Sequence, residues 1–94
     1  MINAMIIDEK DTVAVAIEQI EKGNDVSYKV NEEVITFKAL DDIQIYHKIA
    51  IKDLEKGEPV IKYGEHIGLA AEDVHIGNHI HTHNVENHRE NLDK

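Results

Sequence analysis

Ninety-four residues suffice for one domain that buries roughly 60–70% of the surface its unfolded chain would expose, so a single apolar core can hold it. The lack of cysteine excludes a disulfide framework and any thiolate metal site. Nineteen acidic against ten basic residues give a net charge of −9, which repels a phosphate backbone and excludes nucleic acid as the expected partner. The opening run Met1-Ile2-Asn3-Ala4-Met5-Ile6-Ile7-Asp8 lacks a basic flank and is too short for a signal peptide or a membrane span. A cytoplasmic protein without membrane contact is therefore expected. The aromatic residues are Tyr28, Phe37, Tyr46 and Tyr63, so the core must come from Ile, Val, Leu and Ala, a set in which β-branched residues favour strands.

Taken in order, residues 2–7 read as a short strand that ends at the charged cluster Asp8-Glu9-Lys10-Asp11. Thr12 to Ile17 alternates large and small residues and reads as a strand followed by one helical turn, closed at Gly23. A corner then recurs. Ile20-Glu21-Lys22-Gly23-Asn24-Asp25-Val26, Leu54-Glu55-Lys56-Gly57-Glu58-Pro59-Val60 and Val74-His75-Ile76-Gly77-Asn78-His79-Ile80 share an apolar residue, a glycine three later and an apolar β-branched residue six later. Each reads as a buried anchor, a tight turn and re-entry into a strand.

Between the corners, Val26–Val30, Glu33–Leu40 and Gln44–Ile51 read as strands, with Asn31-Glu32 as a two-residue hairpin connection. Val60 to Gly64 and Ile67 to Ala71 supply two more, and the acidic turns around Glu55, Glu72 and Asp73 read as solubilising surface. The expected fold is mainly β: a compact domain of short strands with one or two helical turns over residues 1–85, followed by a polar tail over 86–94.

Near the end lies Gly77-Asn78-His79-Ile80-His81-Thr82-His83-Asn84-Val85. Histidines at every second position cannot share one face of a helix but do share one face of a strand. Neutral imidazole is both a metal ligand and a proton carrier near neutral pH. His79, His81 and His83 are thus candidate metal ligands, with hydrogen bonding at an exposed strand end as the plain alternative. Tyr63-Gly64 reads as a packing and turn element, because an unperturbed phenol ionises only near pH 10. The single arginine, Arg89, lies in the tail, so no bidentate clamp for an anion is evident.

The run from Lys48 through Lys62-Tyr63-Gly64 and Ile67-Gly68 to His81-Thr82-His83-Asn84 resembles the N-terminal domain of the altronate and galactarate dehydratase family. It is also similar to the small subunit of the related sulfolactate sulfo-lyase. The resemblance covers about residues 11–85 and implies the compact β-clip called SAF. It further implies a small subunit of a two-subunit hydro-lyase acting on a sugar acid, inactive without a large catalytic subunit, because single-chain relatives continue into a large domain soon after the His-x-His-Asn element. A carbon–sulfur lyase acting on a sulfonate is the alternative. On this resemblance His81 and His83 are the expected catalytic residues, and Asn84 and His47 candidate substrate contacts, with a turn-fixing and a surface role as their plain alternatives. A divalent metal (iron, zinc or manganese) would be bound mainly by the large subunit. A non-catalytic module that binds a ligand, metal or protein, and self-association of the isolated chain through strand edges, are the remaining expectations.

Overall fold

The computed structural model describes residues 2–81 and 85–86. Its elements are β1 (Ala4–Met5), β2 (Val13–Ala16), β3 (Asp25–Val30), β4 (Glu33–Lys38), β5 (Lys48–Ala50), β6 (Pro59–Lys62), β7 (Glu65–Ala70), β8 (His79–Ile80) and β9 (Val85–Glu86). The mainly β, SAF-like expectation holds. The expected helical turn after β2 does not form: Ile17 and Glu18 make a bend, and the described residues contain no helix. Its pattern fitted both periods, and tertiary pairing of the backbone decided for the extended form. No helix among the described residues is long and apolar enough to cross a membrane.

The strand order in the central sheet is β1-β2-β5-β8, with all neighbours antiparallel. Because side chains alternate across a strand, register assigns its two faces. Ala14, Ala16 and Ile49 belong to one buried cluster, with Val26, Tyr28 and Ala39 from the β3–β4 hairpin region. Val13, Ala50 and Ile80 belong to a second, with Val60 and Ala70 from the β6–β7 hairpin. The sheet is thus a wall between two small cores. Both hairpins turn over two residues at positive φ, Asn31 (48°) and Glu32 (69°) in the first, Tyr63 (55°) and Gly64 (79°) in the second. Such turns match the twist of the flanking strands.

The corners form two reciprocal pairs. Ile20 and Ile43 exchange backbone hydrogen bonds of 2.9 and 2.8 Å, and Leu54 and Val74 exchange two of 2.8 Å. A second exchange joins each corner to an alanine that lies four residues before its partner's anchor. Gly23 N–H donates to Ala39 C=O and Ala39 N–H to Asn24 C=O; the same pattern links Tyr46 with Ala16, Gly57 with Ala70, and Gly77 with Ala50. All four alanines are buried, as they must be where another backbone approaches so closely.

Ile43 to His47 is therefore a fourth corner, within a segment that the sequence presents as strand. Its left-handed position is held by Tyr46 (φ 69°), where the other corners have Gly23, Gly57 and Gly77 at 91° to 98°. The acidic residues next to the corners are also structural. Asp42, Asp73 and Asp53 each accept the backbone N–H of a corner residue, from Lys22, Lys56 and Ile76 at 2.8–2.9 Å.

A buried carboxylate fixes the second hairpin. Asp11 is 1% exposed and accepts the amides of Ile7 (3.1 Å), Asp8 (3.2 Å) and Gly64 (2.7 Å). Burial by itself would raise its pKa, but the amides of Gly64, Asp8, Ile7 and Tyr63 outweigh that and hold it below the ordinary carboxylate range. A depressed folded-state pKa contributes stability that is complete above about pH 4 and is lost as pH falls through the lower folded value. Asp11→Asn should lower stability by at least about 2 kcal/mol and flatten the acid limb of a stability-against-pH curve. Chemical denaturation between pH 2 and 7 reads both.

The glycine corners differ in crowding. A Cβ on Gly77 would lie 2.5 Å from the Lys38 carbonyl oxygen, whereas one on Gly57 meets nothing within 4 Å. Gly57→Ala should cost about 1–2 kcal/mol for its positive φ alone, and Gly77→Ala clearly more, measured by urea unfolding.

Candidate functional site

The site is a consequence of the β5–β8 register. Lys48 pairs with Ile80 and Ile49 with His79, so the next step of the ladder sets His47 opposite His81. His79, His81 and His47 then fall on the face that carries Ile49, just beyond the buried part of the sheet. His47 is the residue after Tyr46 in the fourth corner, fixed by its N–H to Gln44 C=O (3.0 Å) and by Ala16 N–H to its own C=O (2.9 Å). Asp41 fixes the other side, accepting the His79 N–H at 2.9 Å and the Asn78 side-chain amide at 3.1 Å.

The three rings are stacked. Centroids lie 4.9 Å apart for His47–His81, 5.1 Å for His47–His79 and 5.6 Å for His79–His81, with interplanar angles of 21°, 20° and 11°. His47 Nδ1 and His79 Nε2 approach to 2.9 Å. That contact requires one nitrogen to carry a proton and the other a lone pair. The ligand atoms of all three residues lie within 4.8 Å of one another; His47 and His79 are half-buried and His81 is exposed.

Ligand nitrogens 2.0–2.1 Å from a tetrahedral ion stand about 3.4 Å apart, so a pair at the 4.8 Å limit would have to approach by about 1.4 Å to share one ion. The donor set fits a borderline divalent cation.

On the opposite face of β5 stands Lys48, paired with Val15 and Ile80 in the register. Burial, and after it the neighbouring Lys62 ammonium, hold its amine below the ordinary lysine value. A surface hollow of about 420 Å³ lies elsewhere, between Asp8, Lys10, Lys29 and Asn31.

Of the residues singled out in the sequence, His79 and His81 are brought side by side. The third ring beside them is His47, which joins the imidazole cluster instead of lying alone on the surface; the sequence gives no local sign of this, since its partners are 32 and 34 residues away. His83 and Asn84 lie outside the described residues, as does the tail from residue 87.

This architecture, two hairpins clipped to a shared sheet by paired corners with imidazoles gathered at one end, defines a small all-β domain of the SAF kind. Residues 2–88 match the family described as the altronate/galactarate dehydratase SAF domain, and the chain belongs to that family. It is 37% identical over 80 residues to altronate dehydratase of Bacillus subtilis, covering 85% of this chain and 15% of that protein. It is 39% identical over 84 residues to altronate dehydratase of Escherichia coli, covering 89% and 16% respectively. It is also 36% identical over 91 residues to the (2R)-sulfolactate sulfo-lyase subunit alpha of Chromohalobacter salexigens, covering 94% of this chain and 97% of that protein. The chain thus spans about one sixth of the dehydratases it matches and nearly all of the sulfo-lyase subunit. By name these relatives are lyases of two kinds.

Proposed function

We propose that this chain is the small subunit of a two-subunit lyase, a hydro-lyase acting on a sugar acid, and that it lends its imidazole cluster to an active site completed by a large catalytic polypeptide. The observation that carries the reading is the convergence of His47, His79 and His81 within 4.8 Å. The relatives supply the reaction class. Elimination from a hydroxy acid removes a proton beside the carboxylate and expels the hydroxyl on the next carbon; the enol so formed becomes a 2-keto acid. An imidazole that carries a proton can deliver it to the departing hydroxyl, which leaves as water, and the His47–His79 contact holds such a proton between two rings.

In this reading His81, the exposed member, faces the partner's side of the cleft, and His83 and Asn84 follow it along the chain. Iron, zinc or manganese, bound mainly by the large polypeptide, would supply Lewis acidity toward the substrate's oxygens; were His47, His79 and His81 to hold the ion as well, it would displace the proton shared between the rings. The second reading, a carbon–sulfur lyase releasing sulfite from a sulfonate, is favoured by the 97% coverage of a sulfo-lyase subunit alpha.

Reconstitution separates these readings. The large polypeptide alone should be inactive, and adding this chain should restore either a 2-keto-3-deoxy acid from altronate or sulfite from sulfolactate. His81→Ala should lower the restored kcat/KM about 100-fold or more. Full activity with this chain omitted would remove the proposal.

Metal binding is tested apart from activity. Zinc or manganese should raise the melting temperature of the wild-type chain, and His47→Ala or His79→Ala should weaken binding at least tenfold by calorimetry. The affinity should fall on acidification, because protons compete with the ion for the same nitrogens. Unchanged affinity in a chain carrying both His47→Ala and His79→Ala would show that these rings do not bind the ion.

A further inference from the structure

The sheet edges of this domain are unequally protected. Among the described residues the central sheet ends in β1 and β8, two residues each. The three-stranded sheet ends in β9, also two residues, and in β6, which opens on Pro59 and breaks its register between Val60 and Ile61. Short strands, proline and bulges all discourage pairing with another chain. The outer edge of β3 is met by Asn3, whose N–H donates to Ser27 C=O at 3.1 Å and whose Oδ1 accepts Ser27 N–H at 2.8 Å. β4 has none of these protections: it is six residues long, Glu33-Val34-Ile35-Thr36-Phe37-Lys38, without proline or a break in register.

The β3–β4 register fixes what that edge offers. Val30 and Glu33 close a two-residue turn, and Tyr28 faces Ile35 and Val26 faces Phe37 at alternate steps. In such a hairpin these are the hydrogen-bonded rungs, so the backbone groups of Val34 and Thr36 point away from β3. No other described strand or backbone group pairs with them. Lys38 also points outward, but Gly77 packs so close that a Cβ there would lie 2.5 Å from the Lys38 carbonyl oxygen. The open stretch is therefore Val34 to Thr36. It is apolar at the surface, with Val34 59% and Ile35 37% exposed. Its ends carry opposite charges, Glu32 and Glu33 before it and Lys38 after it, the last already engaged on the β3 side by Asp25 at 2.7 Å.

We propose that β4 pairs antiparallel with β4 of a second copy of this chain, about a twofold axis at Ile35. Successive rungs of an antiparallel ladder alternate in hydrogen bonding, so a twofold axis must fall on a residue that faces itself. With Val34 and Thr36 as the open donors and acceptors, that residue is Ile35. Val34 then exchanges both backbone hydrogen bonds with Thr36 of the second copy, and Thr36 with its Val34. Ile35 packs against Ile35 in a rung without hydrogen bonds, where side chains approach most closely. The same alignment brings the acidic start of each strand, at Glu32, to the Lys38 of the other. A parallel pairing would instead set acid against acid and lysine against lysine. The two hairpins become one four-stranded sheet. The surface uses neither the imidazoles nor a large polypeptide, so it stands independently of the proposed activity.

The test is sedimentation equilibrium of the full chain between about 10 and 500 µM, the range in which an interface of small area assembles. The wild type should pass from monomer to dimer. Ile35→Lys sets two like charges face to face on the axis and should weaken association at least tenfold. Val34→Pro removes an outward N–H while leaving the β3 ladder intact, and should do the same with an unchanged circular dichroism spectrum. Register is read separately, because the chain has no cysteine of its own. Under oxidised glutathione Ile35→Cys should form a disulfide-linked dimer, since facing residues in such a rung stand about 4.5 Å apart at Cα, within disulfide reach. Val34→Cys, displaced from its counterpart along the strand, should link far more slowly. A monomeric mass across the whole range, association unchanged in both Ile35→Lys and Val34→Pro, or linking through position 34 as fast as through position 35 would each overturn the proposal.

Discussion

The reciprocal backbone exchange between paired corners is the constraint on which everything else in this domain rests. A short strand leaves its ends unsatisfied, and a small domain has little apolar surface with which to compensate buried, unpaired amides and carbonyls. Here each corner donates to, and accepts from, the alanine that introduces its partner, while the two anchor residues pair with each other. The side chains at the meeting points must be small, the turn must enter left-handed space, and the anchor must be apolar. One local rule, applied at Ile20, Ile43, Leu54 and Val74, therefore dictates both the composition and the course of the chain.

The imidazole cluster inherits its geometry from that rule. The fourth corner sets His47, the Val74 corner sets the start of β8, and the β5–β8 ladder sets the two against each other. None of these three histidines sits on a long loop; each lies within or next to hydrogen-bonded backbone, and Asp41 binds the chain just before the stripe. Stacked rings with one nitrogen pair at hydrogen-bond distance are thus held in place by the backbone around them.

Much of this was legible in the residues themselves. Gly23, Gly57 and Gly77 mark three corners because no other residue enters that region of φ without strain. Asn31-Glu32 was readable as a hairpin link, and the alternate spacing of His79 and His81 as a stripe on a strand. The fourth corner was hidden because Tyr46 occupies the glycine position, so its segment looked like continuous strand. With that corner unseen, His47 had no visible reason to approach residues 79 and 81. The receiving alanines, Ala16, Ala39, Ala50 and Ala70, each four before an anchor, are the signal that would have exposed it. The segment after β2 failed for a different reason: its period suited helix and strand alike, and only a distant hydrogen-bond partner decides such a case. Asp42, Asp53 and Asp73 were indistinguishable from ordinary surface charge until their amide partners came from across the molecule.

The central strand β5 contributes Ile49 to one core and Ala50 to the other, one residue apart. Neither half of the domain therefore owns a complete interior. If one hairpin peels away, the remaining half loses the wall against which it packs, so partial opening has no resting place and the molecule melts as one cooperative unit.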